Sequence, residues 1–201
     1  MIELWIATHN KGKINEFRNL MGGAVELHTP SELGYYSSPP ETGGTFEENA
    51  RIKARSVKAV KPGKWVAADD SGIEVEGLGG LPGVHSARYA GNQASDAENI
   101  AKLLKMLQIR SPRNRNAQFR CVLVAYDPEG QEHVLEGVVK GQIATKVRGQ
   151  TGFGYDPIFI PEGFEQTFAE LGVATKNQIS HRAKALRELL TRIHPQSHVN
   201  P

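Results

Sequence analysis

Cysteine is nearly missing from this 201-residue chain: there is one, Cys121. A single thiol excludes an internal disulfide and leaves too few ligands for a cysteine-based zinc site. Because Cys121 lies in the apolar run 119–126, a buried thiol in a reducing cytoplasm is expected. An excess of charge is missing too. With 24 lysines and arginines against 22 acids, the formal net charge is +2, which gives no ground for a nucleic-acid or membrane partner. Long hydrophobic runs are also absent. The stretch Ile2 to Ala7 is far too short for a signal segment or a membrane span, and no later run reaches spanning length, so an exported or inserted protein is not expected. No repeat or low-complexity segment appears. The length suits one domain, 1–195, with one sizeable core in at most two lobes, and a frayed tail beyond it at 196–201.

Acidic residues are scarce where two helices should begin. Ile2, Leu4 and Ile6 alternate with Glu3 and Trp5 as in a strand, a polar loop follows over Thr8 to Lys13, and Ile14, Phe17, Leu20 and Met21 recur at helical spacing up to Gly22 and Gly23. A helix N-terminus favours acids, yet Lys11 and Lys13 stand there. With Gly12 allowing close approach, the arrangement suits a bound anion such as a phosphate, although the spacing is not that of a Walker loop. Two solvated lysines and a turning glycine are the alternative. The last helix repeats the pattern: Ser180 is its expected N-cap, His181 and Arg182 fill its first turn, and Ala183, Leu186, Leu190 and Ile193 mark its apolar face.

The stretch 66–83, VAADDSGIEVEGLGGLPG, is central. It sets Asp69 and Asp70 side by side where a strand should end or bend. Alternation sends the two carboxylates to opposite faces, so only one is expected to be the working group. A solvated turn is the competing reading, since Asp, Ser and Gly are common turn residues. Thr45 and Glu48 have capping-box spacing, and the helix they open aligns Phe46, Asn49, Ala50, Lys53 and Val57. Asn49 and Lys53 on that face would be costly in dry core, so it should border a polar cleft, unless Lys53 snorkels to water. Ser95 and Glu98 open a purely structural helix with Ile100, Leu103, Leu104 and Leu107. The run 110–116 reads as a solvated loop. A β-hairpin is expected from 117–126 and 134–143. Phe153, held between two glycines, can stack on a base or serve as a packing anchor.

Six blocks, THNKGK at Thr8 to Lys13, ETGGTFEENARIKA at Glu41 to Ala54, ADDSG at Ala68 to Gly72, GGLPGVHSARYAG at Gly79 to Gly91, TGFGYDPIF at Thr151 to Phe159 and KNQISHR at Lys176 to Arg182, run in the order found in the inosine triphosphate pyrophosphatase family. The chain resembles that family from residue 1 to about residue 195. The resemblance implies an α/β fold: a long twisted mixed sheet flanked by helices, two lobes with a central active-site cleft, and a homodimer. It implies hydrolysis of deaminated purine nucleoside triphosphates (ITP, dITP, XTP) to monophosphate and pyrophosphate in the cytoplasm. Asp70 would be the general base, and Glu41 with Asp70 would hold Mg2+. Substrate would meet the loop Thr8, His9, Asn10, Lys11, Gly12 and Lys13, then Lys53 and Ser71. Phe153 would stack on the purine within Gly154, Tyr155 and Asp156, while Lys176, His181 and Arg182 surround its edge. His9 and His85 depart from the family's usual glycine and tyrosine, and neither side chain is given a chemical role. A pyrophosphatase of modified pyrimidine nucleotides and a non-catalytic nucleotide-binding protein are the competing functions.

Overall fold

The computed structural model describes residues 2–34 and 36–194; the expected frayed tail lies outside the described residues. The chain divides into two compact units, one made of the segments up to Asp70, Cys121–Gly137 and from Arg182 onward, the other of Ser71–Arg120 and Val138–His181. Among the described residues six strands form one sheet, in the order β2 (Val25–His28), β1 (Ile2–Ile6), β3 (Trp65–Val75), β4 (Asn116–Tyr126), β5 (Glu132–Ile143) and β6 (Phe159–Pro161). β1 runs parallel to β2 and β3, and β5 antiparallel to β6, so the expected mixed α/β sheet with helices is borne out. No helix among the described residues is long and apolar enough to cross a membrane.

In the first unit, alternation decides what each strand residue meets. Leu4, Ile6, Ala67, Cys121 and Leu123 join one core cluster with α1 (Lys11–Met21) and α5 (His181–Ile193), through Phe17, Met21, Leu186 and Leu189. Their neighbours Trp5, Val66, Ala68 and Val124 join another with α2 (Phe46–Val60), through Ala50, Ala54 and Val57. Residue 69 continues the series of Ala67 and residue 70 that of Ala68, so adjacent aspartates face different helices. α2 starts where its sequence says: Thr45 and Glu48 form the reciprocal capping box, worth about 1 kcal/mol. Cys121 is buried, and burial first, then the Asp69 charge, pushes its thiol up to about 12.

The second unit packs α3 (Asp96–Arg110) and α4 (Phe168–Ile179) around Ile73, Val75, Phe119, Tyr155 and Phe159. α3 carries the expected Ser95–Glu98 capping box. α4 was not foreseen from periodicity, because Gly172 (φ 77°) breaks it midway; Thr167 and Glu170 nevertheless form a capping box that its sequence spacing carries.

Three expectations need correction. β3 does not end or bend at Asp70 but runs on to Val75. Gly72 serves close approach rather than a turn: a Cβ there would lie 2.4 Å from Ser86 Oγ, the atom that accepts from Ile73 N at 2.9 Å. The loop 8–13 is shorter than expected, since Asn10 caps α1 by accepting from Lys13 N at 3.0 Å, and Lys11 to Lys13 are already helical. The run 110–116 is not wholly solvated: Arg115 donates to the carbonyls of Ile143 and Ala144 at 2.6 Å each.

Candidate active site

The polar centre of the first unit is built on β3. Asp69, with no exposed surface, faces α1 and α5 and accepts from Lys13 Nζ at 2.9 Å and from Arg182 Nη2 at 3.0 Å. Arg182 also pairs with Glu16 of α1, and only 1% of its side chain is exposed. Burial by itself would raise the Asp69 pKa, but Lys13 and Arg182, with Lys53 behind them, outweigh it and hold the carboxyl well below the usual range. Asp69 is therefore a fixed anion engaged by two cations, unsuited to accepting a proton near neutrality.

Asp70 is in the opposite condition. It faces α2, where Asn49 Nδ2 donates to Oδ2 at 3.3 Å and Lys53 Nζ to Oδ1 at 3.2 Å. Lys53 also reaches Glu41 Oε1 at 2.9 Å. Burial pushes the Asp70 carboxyl above its ordinary value; Lys53 and Lys13 offset this in part, while Glu41 and Asp69 add to it. Lys53 stays charged because Asp70, Asp69 and Glu41 together exceed the cost of its burial. One aspartate is locked as a structural anion, and the other keeps an elevated proton affinity.

Asn49 is the residue whose role the sequence hid. It is fully buried, and its Oδ1 accepts from Gly43 N at 2.8 Å while its Nδ2 serves Asp70. Gly43 has no room for a side chain, since a Cβ would stand 2.6 Å from Glu48 Cβ and 2.8 Å from Asn49 Oδ1. Asn49 therefore fastens the segment after Glu41 to the carboxylate of β3. The signal was its polar placement on an inward helix face.

The fit to a metal can be judged from charge and donor type. Glu16, Glu41, Asp69 and Asp70 supply four carboxylates against the three cations Lys13, Lys53 and Arg182. Hard oxygen donors with one surplus negative charge suit a hard divalent cation. Thr8, His9, Asn10, Lys11 and Gly12 lie at or before the start of α1. His9 is exposed and tilts against Tyr36 at 6.1 Å.

The second unit holds the other expected residues. Lys176 is buried and paired with Asp156, whose Oδ2 also accepts from Phe153 N at 3.0 Å. Gly152, at φ 84°, leaves no space for a side chain: a Cβ would lie 2.1 Å from the same Oδ2. The Lys176 ammonium sits 4.8 Å from the Phe153 ring centroid. Phe153 is half-buried and Gly154 N donates to Asp96 at 2.6 Å. Tyr155 is an anchor of this loop, buried with its hydroxyl donating to Ser86 O at 2.8 Å. His181 is buried and stacks on Phe119, centroids 4.7 Å apart and planes 8° apart. Ser71, half-buried, opens the unit directly after Asp70.

A mixed α/β sheet with a buried aspartate of raised proton affinity beside lysines and hard oxygen donors is compatible with an enzyme that handles phosphate groups. The comparisons with known proteins narrow this. A profile of the Ham1 family matches residues 4–192, and the chain belongs to that family. It is 52% identical, over the full length of both chains, to a dITP/XTP pyrophosphatase of Bdellovibrio bacteriovorus. Among solved structures it is similar to the Ham1 protein of Staphylococcus aureus (TM-score 0.85, 43% identity, 97% of this chain and 100% of that one). A HAM1 protein of Coxiella burnetii matches with TM-score 0.86 and 40% identity, again over 97% of this chain and 100% of the other.

Proposed function

We propose that this protein is a nucleoside triphosphate pyrophosphatase that hydrolyses deaminated purine nucleotides (ITP, dITP and XTP) to the monophosphate and pyrophosphate, removing them before they enter nucleic acid. The observation that carries the reading is the state of Asp70: a buried carboxylate with raised proton affinity, held by Asn49 and Lys53. The relative from Bdellovibrio bacteriovorus is a dITP/XTP pyrophosphatase, which supports the same reaction.

Asp70 accepts a proton from a water as its oxygen attacks the α-phosphorus. The bond from that phosphorus to the oxygen bridging the α- and β-phosphates breaks, and pyrophosphate leaves with the bridging oxygen. A triphosphate carries about four negative charges, so Lys13 and Lys53 neutralise it where they now neutralise Asp69, Asp70 and Glu41. Glu41 and Asp70 would hold Mg2+, which when bound withdraws charge from the phosphates. The backbone N–H groups of Lys11 and Gly12 at the start of α1 meet phosphate oxygens within the loop Thr8 to Lys13, and Ser71, next to Asp70 in the chain, adds a hydroxyl. Phe153 stacks on the purine, with Gly154, Tyr155 and Asp156 shaping its loop and Lys176 and His181 at the base edge. Family resemblance supports Arg182 at the same edge, with its guanidinium held in place by Asp69 and Glu16. Donors at that edge match the 6-oxo group of hypoxanthine and xanthine and oppose the amino group of adenine. A mismatch of this kind discriminates by roughly 10⁴-fold. The reading includes a homodimer, supported by family resemblance and checked by sedimentation, and a cytoplasmic location beside the nucleotide pool.

The test is pyrophosphate release from ITP, XTP, dITP, GTP, ATP and modified pyrimidine triphosphates, with and without Mg2+. Preference for the deaminated purines is expected. Preference for pyrimidines, or binding without turnover, overturns the reading. Arg182→Ala should lower kcat/KM for ITP far more than for ATP; equal losses would remove Arg182 from the base edge.

A further inference from the structure

The β1–β2 edge of the first unit carries a second group of ligating side chains that plays no part in the chemistry above. In the parallel register Glu3 lies opposite Glu26 and Trp5 opposite His28. All four share the face of the sheet that α2 covers farther along, because their neighbours Leu4, Ile6 and Val25 face the other cluster. Like charges set directly across a strand pair repel. Lys64 answers only one of the four oxygens, donating to Glu3 Oε2 at 2.6 Å.

His28 is oriented as a ligand would be. Its Nδ1 lies 2.7 Å from Glu32 Oε2. An ionised carboxylate can only accept, so Nδ1 bears the hydrogen, and the neutral imidazole that a metal requires would present its lone pair at Nε2. That nitrogen faces Glu26 Oε1 at 3.7 Å. This is too long for a hydrogen bond. It is close to the separation of about 3.3 Å that two ligand atoms take when each stands ~2.0–2.1 Å from one tetrahedral Zn2+. One ligand atom from each of Glu3, Glu26 and His28 lies within 4.8 Å of the other two. Glu32 completes the carboxylate–histidine–metal arrangement that fixes the tautomer of metal-binding histidines. Stacking on Trp5, at 4.8 Å and 19°, holds the ring plane, and Lys61 covers the indole at 4.2 Å. Entry is open: the side chains of Glu26 and Glu3 are 55% and 37% exposed.

We propose that Glu3, Glu26 and His28 form a binding site for a borderline divalent metal ion, Zn2+ or Ni2+, which clips the edge strand β2 to β1. An imidazole among the donors selects such ions over Mg2+ and Ca2+. This site and the hard oxygen set around Glu41 and Asp70 therefore take different metals. Binding to the folded chain alone raises its stability by mass action.

The test titrates Zn2+ into the full, tag-free protein in the presence of excess Mg2+, by calorimetry and thermal unfolding. In a Trp65→Phe background Trp5 is the remaining tryptophan, and Ni2+ bound at His28 should quench its fluorescence. One equivalent of Zn2+ and a rise in Tm are expected. His28→Gln and Glu26→Gln should each weaken binding at least tenfold, and Glu32→Gln by about 10–100-fold, the usual effect of losing a partner behind a metal-bound histidine. Glu26 is the most exposed of the three ligands, so its variant keeps the test decisive if His28→Gln fails to fold. Unchanged Zn2+ affinity in Glu26→Gln, displacement of Zn2+ by Mg2+, or Ni2+ binding without quenching of Trp5 overturns the proposal.

Discussion

The two compact units handle buried charge in opposite ways. In the first, four carboxylates and three cations share partners, so that Lys53 serves Glu41 and Asp70 while Asp69 takes both Lys13 and Arg182. In the second, the salient pair is Asp156 with Lys176, set among the rings of Phe153 and Phe168. A shared network lets one member, Asp70, keep a raised proton affinity while its neighbour Asp69 is held ionised. The Asp156–Lys176 pair, set against aromatic rings, does not divide labour in that way. It fixes a loop and offers directional donors. On the proposed function, the first arrangement would take the highly charged triphosphate and the second the flat, neutral base.

The largest expected effect lies in the network. Asp70→Asn keeps size and deletes the proton acceptor, so turnover should fall about 10²–10⁴-fold with nucleotide affinity largely retained, as read by single-turnover kinetics and equilibrium binding. Turnover within a few-fold of the parent protein would falsify the assignment of the base. The Asp156–Lys176 pair should respond in stability instead. Lys176→Met preserves volume but takes the ammonium away from the buried Asp156 carboxyl, and chemical denaturation should register a loss of about 3–5 kcal/mol. A loss under 1 kcal/mol would erase the contrast between the units.

Asn49→Ala should cost roughly tenfold in kcat with a smaller change in KM. It removes a hydrogen bond that favours the ionised form of Asp70, so the acid limb of the pH–rate profile should also move to higher pH. A limb that stays in place would make Asn49 a purely structural residue.

The smallest effect concerns acid stability. The folded pKa of Asp69 is depressed below its unfolded value, so its contribution is fully present above about pH 4 and is lost as pH falls through the folded value. Asp69→Asn should flatten that part of the stability curve. For Asp70 the sign is reversed: its folded pKa is raised, folding is favoured by its protonated form, and that contribution declines as pH rises through the folded value. Denaturation curves of Asp69→Asn and Asp70→Asn from pH 3 upward separate the two aspartates.

The sequence by itself determined the pieces that depend on near neighbours. The caps at Thr45 and Ser95, the alternation of β1, the hairpin strands and the opposed faces of Asp69 and Asp70 follow from local hydrogen bonding and period-two geometry. It also exposed the misplaced cations Lys13, Lys53 and Arg182, because charge on a helix start or an inward face is costly without a partner. Tertiary structure decided which partner each received. Lys13 and Asp69 are 56 positions apart and Arg182 and Asp69 113 apart, and no local rule reaches that far. Which aspartate is locked and which keeps its proton affinity depends on whether α1 and α5 or α2 covers its side of β3. The extension of β3 past Asp70 was equally out of local reach, since Asp, Ser and Gly favour a turn until Ser86 supplies the hydrogen bond that keeps Ile73 in the strand. The pairing of Glu3, Glu26 and His28 arises from a parallel register, which a crossover connection sets and a linear sequence does not reveal.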